Sequence, residues 1–60
     1  MYTLFVTLTN DNTYPIDFYS LDVARECGLD HLRAPDVRCA EVKEKATGKT
    51  IWTGIHRGKA

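Results

Sequence analysis

The sequence is poor in the residues that quickly point to a function. Its 60 residues hold two cysteines (Cys27 and Cys39), two prolines, one tryptophan and one methionine. Two cysteines are too few for a disulfide-dense scaffold, and a reduced, cytoplasmic setting is expected. The longest plainly apolar run is Leu4-Phe5-Val6, far short of the roughly 20 residues that cross a membrane. No basic segment precedes an apolar stretch at the N-terminus, so no secretory signal is expected. An excess of one charge is also missing. Eight Lys plus Arg balance eight Asp plus Glu, which excludes a strongly basic nucleic-acid coat and an acidic tail. No linker, repeat or low-complexity stretch interrupts the chain.

What is present is a hydrophobic fraction of 43%, ordinary for a folded chain and too high for a typical disordered one. The length allows one domain over residues 1–60. Surface scaling gives burial of about 60% of the unfolded chain's surface. At about 25 cal/mol/Å² of apolar area this supplies roughly 80–90 kcal/mol. Ordering the chain costs roughly 90 kcal/mol. The two terms cancel, so a second copy, a metal or a disulfide would add stability that matters.

The apolar pattern predicts an α+β domain. Residues 2–9 alternate and are rich in β-branched and aromatic side chains, as in a half-buried strand. Asn10-Asp11-Asn12 supplies turn chemistry. A second strand over about 14–19 carries Pro15, which cannot donate a ladder hydrogen bond and belongs on an edge. A helix over 20–27 would be capped by Ser20 and stopped by Gly28, with Leu29 making the apolar contact common at such stops. Strands over about 37–45 and 49–56 flank an Ala46-Thr47-Gly48 turn, and a phase change near Cys39 signals a bulge. The element order is ββαββ. A four-stranded antiparallel sheet in the order 2-1-3-4, with one short helix packed on one face, keeps every neighbouring pair antiparallel.

One helix covers one face of such a sheet. Leu4, Val6, Leu8, Ile16, Phe18, Ala40, Val42, Ile51 and Ile55 are expected beneath Leu21, Ala24 and Cys27. The open face is expected to carry Phe5, Tyr19, Lys43, Trp52 and His56, with Glu41. Exposed aromatics gathered on one face mark an interface, and Trp and Tyr are favoured anchors of protein-binding sites.

The zero net charge conceals a polarity. Residues 1–36 hold two basic and six acidic side chains (−4), and residues 37–60 hold six basic and two acidic ones (+4). Arg38, Lys43, Lys45, Lys49 and Arg57 therefore form a basic C-terminal hairpin that could contact nucleic acid. Lysines also guard edge strands against stray pairing.

Sites for chemistry are weak. Cys27, His31, Cys39 and His56 lack the close spacing of a structural zinc site, so no metal is expected. A thiolate at Cys27 would be disfavoured at a helix C-terminus, and Cys39 has no base near it in sequence. A Cys27–Cys39 disulfide would join residues expected on opposite sides of the sheet. Thr47-Gly48-Lys49-Thr50 lacks the upstream glycine and the helix of a phosphate-binding loop. No cofactor and no catalytic residues are expected.

In size and layout the chain resembles small stand-alone α+β proteins of bacteria and their phages, a likeness that transfers no site. The expectation is a non-enzymatic interaction or regulatory module that docks through an open sheet face or edge, in the first place as a homodimer and otherwise onto another protein. The alternative is a weak nucleic-acid binder using the basic hairpin and exposed aromatics.

Overall fold

The computed structural model describes residues 1–56. The chain runs through β1 (Tyr2–Leu8), β2 (Thr13–Phe18), α1 (Leu21–His31), β3 (Val37–Glu44) and β4 (Thr50–Ile55). The strands form one sheet in the order β2-β1-β3-β4, every neighbouring pair antiparallel. This is the α+β architecture expected from the sequence. The two hairpins close with the residues that tolerate left-handed backbone. Asp11 has φ 70° and Gly48 has φ 73°, and Asn12 N–H donates to Asn10 Oδ1 at 3.0 Å.

Side-chain alternation builds the core. Leu4 stands opposite both Ile16 and Val42, and Val6 stands opposite Ala40. Leu4, Val6, Ala24, Val37, Ala40 and Val42 form the buried cluster, with Leu8, Phe18, Leu21, Cys27 and Trp52 packed around it. Val37 reaches the core through the bulge anticipated near Cys39. Thr7 pairs with Cys39 but Leu8 pairs with Val37, so Arg38 is the extra residue and the strand changes phase there.

A second irregularity corrects the expected face of β4. Val42 pairs with Trp52, whereas Lys43 pairs with Thr50. Ile51 is the extra residue. Trp52 and Gly54, opposite Val42 and Ala40, therefore lie on the helix side. Ile51 and Ile55, expected in the core, are 41% and 72% exposed.

The helix is also longer than expected. Gly28 does not stop it. Leu32 N–H still donates to Gly28 O at 3.0 Å, and α1 continues to His31. Gly28 is needed for space instead. A Cβ built there would lie 2.7 Å from Trp52 Cζ3 and 3.2 Å from Leu4 Cδ1. A Cβ on Gly54 would lie 2.8 Å from Trp52 Cη2 and 2.6 Å from Leu32 Cδ1. Two glycines, one on the helix and one on β4, thus make room for the indole. Ser20 has the extended backbone of an N-cap, but its side chain makes no cap hydrogen bond. At the other end His56 Nδ1 donates to Leu32 O, giving a partner to one of the carbonyls a helix C-terminus leaves open.

This seat makes Gly28 intolerant of a methyl group. Alanine normally stabilises a helix interior by roughly 0.5–1 kcal/mol over glycine. Gly28→Ala should instead destabilise by about 1–3 kcal/mol through overpacking, and combining it with Trp52→Leu should cost less than the two single changes summed. Urea denaturation of the four chains checks this. A Gly28→Ala variant more stable than the parent would refute the seat.

Candidate functional site

The sheet face away from α1 has Phe5 near its middle. Phe5 stands between Pro15 on β2 and Glu41 on β3. Lys43 Nζ lies 5.7 Å from the Phe5 ring centroid, within cation–π range. Thr7 and Thr13 share a 3.0 Å hydroxyl contact, and Thr50 Oγ1 donates to Glu41 Oε2 at 3.1 Å. Phe5, Thr7, Cys39, Glu41, Thr53 and Ile55 line much of an open depression of about 360 Å³.

The structure divides the expected interaction residues. Phe5 and Lys43 are together on the open face. Trp52 and His56 are not on it: the extra residue at Ile51 turns both toward the helix, one into its glycine seat and the other onto Leu32 O. Tyr19 is 88% exposed but lies beyond the end of β2. It is four residues past Pro15, the neighbour of Phe5, or more than about 10 Å away at the rise of a strand. The three-aromatic platform expected from the sequence therefore reduces to Phe5.

The basic hairpin is likewise less available than its sequence suggests. Arg38 pairs with Asp11 at 2.8 Å, and Lys45 pairs with Asp17 at 3.2 Å. Both contacts join the basic C-terminal hairpin to the acidic first hairpin. Lys43 lies against Phe5, Lys49 is exposed in the β3–β4 turn, and Arg57 lies outside the described residues.

The thiols offer no assembled centre. Cys27 and Cys39 are both free, on the helix and on the open face. The continued helix does put Cys27 and His31 on one side, contrary to the expected break at Gly28. His31 Nδ1 lies 3.5 Å from Cys27 Sγ and donates to Cys27 O at 2.8 Å. Burial pushes the Cys27 thiol up, and the nearby Asp30 carboxylate adds to this, so the nucleophilic form is disfavoured. Among the described residues, no three His, Cys, Asp or Glu side chains gather as a metal site would require.

Sequence reasoning missed the place where two depressions meet on one strand. This is the β4 end of the sheet. A second depression of about 620 Å³ lies between α1 and β4, lined by Leu29, Leu32, Trp52, Thr53, Gly54 and Ile55. Thr53, Gly54 and Ile55 border both depressions, so β4 is flanked by a hollow on each face. Leu29 is 52% exposed and makes no helix-stop contact. The signal that could have located this surface was the pair of glycines. Gly28 in a helix and Gly54 in a strand each imply a close neighbour, and Trp52 is the side chain large enough to require both.

Alternation also defines the edges. Leu8 N–H donates to Asn12 O, which makes residues 4 and 16, and 6 and 14, hydrogen-bonded pairs. Pro15 therefore turns its ring nitrogen outward, in the middle of the β2 edge, where no donor is offered. His56 N–H donates to Arg38 O, so Trp52 and Gly54 bond toward β3 and the backbone groups of Thr53 and Ile55 point outward. Among the described residues no strand lies beyond β4. Its sequence, Thr50-Ile51-Trp52-Thr53-Gly54-Ile55, contains neither proline nor charge.

Asp17 gives the open face a pH response. Its carboxyl is held below the ordinary value, first by the 2.9 Å hydrogen bond from Thr3 Oγ1 and then by Lys45. A depressed folded value contributes stability above the unfolded pKa, and that contribution is lost as pH falls through the folded value. Asp17→Asn should lower the urea midpoint at pH 7, and the gap between variant and parent should close under strong acid. A gap independent of pH would show that the ionised carboxylate is not involved. Comparison with family models, with curated proteins and with solved structures finds no match to this chain.

Proposed function

We propose that the protein is a non-enzymatic interaction module that binds another polypeptide at the β4 end of its sheet. The observation that carries this reading is the unprotected edge. Folded proteins blunt exposed edge strands with proline, charge, a bulge or a cover. The β2 edge has Pro15 and Asp17; β4 has neither, and its one protective irregularity is the bulge at Ile51, which leaves Trp52 to Ile55 regular. Leu29 and Ile55, both exposed, line one depression beside β4, and the exposed Ile51 lies on the same strand. Contiguous exposed apolar surface beside free backbone donors and acceptors is the arrangement to which extended segments add as a further strand.

The nucleic-acid reading has less support. Trp52, its best stacking group, packs under the helix, and Arg38 and Lys45 already face carboxylates. Stacking platforms for single strands require accessible aromatic faces together with available cations.

Ile55→Lys tests the proposal at a side chain already 72% exposed, where stability should change by less than about 0.5 kcal/mol. The variant should keep its far-UV circular dichroism and lose association, whether read as self-association by native mass spectrometry or as capture of a protein from a cell extract. Association of either kind that persists unchanged in Ile55→Lys and in Leu29→Lys would overturn the proposal.

A further inference from the structure

Resting on the interaction reading above, we infer that the occupant of the β4 edge is a second copy of this chain. The two copies would pair antiparallel, β4 against β4, in one continuous eight-stranded sheet. The first argument is the inequality of the two edges. If both could pair, β4 of one copy would add to β2 of the next, and that head-to-tail contact would propagate as a filament. Pro15 removes the donor at the centre of β2. Only β4 remains competent, and β4 against β4 closes after two copies.

The register follows from which backbone groups point outward. Thr53 and Ile55 turn their N–H and C=O away from β3. A two-fold axis through Thr53 sets Thr53 opposite its own copy, and brings Ile55 of each copy to the bulged Ile51 of the other. Both isoleucines then gain an apolar cross-strand neighbour, and the paired segment carries no charge. The same axis, perpendicular to the sheet, places both helices on one face. The two hollows between α1 and β4 then face each other, with Leu29 from each copy beside the seam.

The area required supports the same occupant. A stable two-fold interface takes about 800 Å² from each partner, close to a fifth of this chain's 4154 Å². Strand pairing alone is narrow, but hollows on both faces of β4, one of about 620 Å³ and one of about 360 Å³, widen the contact into the helix layer and onto the Phe5 face. A 60-residue chain whose largest fully buried side chains are Leu4, Val6 and Val42 also gains most from extra burial of this kind.

The test uses the full chain in native mass spectrometry and light scattering. The parent should have the mass of two chains. Thr53→Pro removes an outward N–H that makes no bond within the sheet, as Pro15 does on the other edge, and should give a folded protein with the mass of one chain. Ile55→Lys should do the same, which keeps the test independent of whether the proline variant folds. Thr53→Cys in a Cys27→Ala, Cys39→Ser background should form a disulfide-linked dimer on mild oxidation, because facing residues of a bonded pair are about 5.5 Å apart at Cα. A parent that remains a single chain up to about 1 mM, or a dimer that survives both Thr53→Pro and Ile55→Lys, would overturn the inference. A single-chain parent that captures a different protein, and loses it in Ile55→Lys, would overturn self-pairing and leave the interaction reading standing.

Discussion

The packing of Trp52 against two glycines governs the rest of the molecule. An indole is the largest side chain available, and here it is held between an 11-residue helix and an edge strand. The helix can approach β4 only because position 28 has no Cβ, and the strand can pass under the ring only because position 54 has none. The close approach fixes the direction of α1 over the sheet. It also fixes the phase of β4: once Trp52 faces inward, Thr53 and Ile55 must face outward. The apolar surface at the sheet end is thus a consequence of the core and not a separate feature. The ring itself is only partly buried, and exposed isoleucines accompany it.

The two bulges extend the same constraint along the strands. Skipping Arg38 lets Val37 join the core while Cys39 stays on the open face. It also leaves Arg38 57% exposed at the side chain and 2.8 Å from Asp11. Skipping Ile51 lets Thr50 reach Glu41 while Trp52 faces the helix. In each case one extra residue reconciles a large inward side chain with a polar contact elsewhere, and it strengthens the local twist. The ion pairs Arg38–Asp11 and Lys45–Asp17 are exposed, and solvent screens pairs of that kind. Their greater effect is on the field. They pair two cations of the basic half, Arg38 and Lys45, with two carboxylates of the acidic half. Those two cations are correspondingly less available to a phosphate.

The strand alternation, the turn residues and the edge position of Pro15 made the ββαββ order and the sheet order legible from the chain alone. Each depends on local chemistry: period-two apolar residues, left-handed positions at Asp11 and Gly48, and a missing donor. The phase of β4 was not legible. Ile51, Thr53 and Ile55 alternate with Trp52, Gly54 and His56, and β-branched residues on one side compete with an indole on the other. Propensity favours the isoleucines inward. Volume decides for Trp52, because the glycine at 54 beside it and the glycine at 28 across from it leave a space that only a large ring fills. Gly28 was misread for a related reason. Glycine at a helix stop and glycine at a close contact look identical in sequence, and only the long-range partner separates them. Phe5 and Lys43 share the open face because β1 and β3 alternate without interruption from Thr3 opposite Lys43 to Thr7 opposite Cys39.

The contrast between the two edges then carries functional weight beyond any single residue. A sheet with both edges blunted would behave as an inert monomer, and one with both edges open would polymerise. This sheet has one of each. The blunting of β2 comes from Pro15, whose position is fixed by the bonded pairs on either side of it. The openness of β4 comes from six residues without charge, whose phase is fixed by Trp52. A selective edge therefore needs no dedicated binding loop or cofactor. It arises from two rigid local choices, one imino acid and one indole, at opposite ends of the same sheet. Because the asymmetry is built into backbone hydrogen bonding, the proposed partner is one that supplies a strand and not one that supplies a phosphate or a small ligand. For a chain with so small a core, binding at that edge and gaining stability would be the same event.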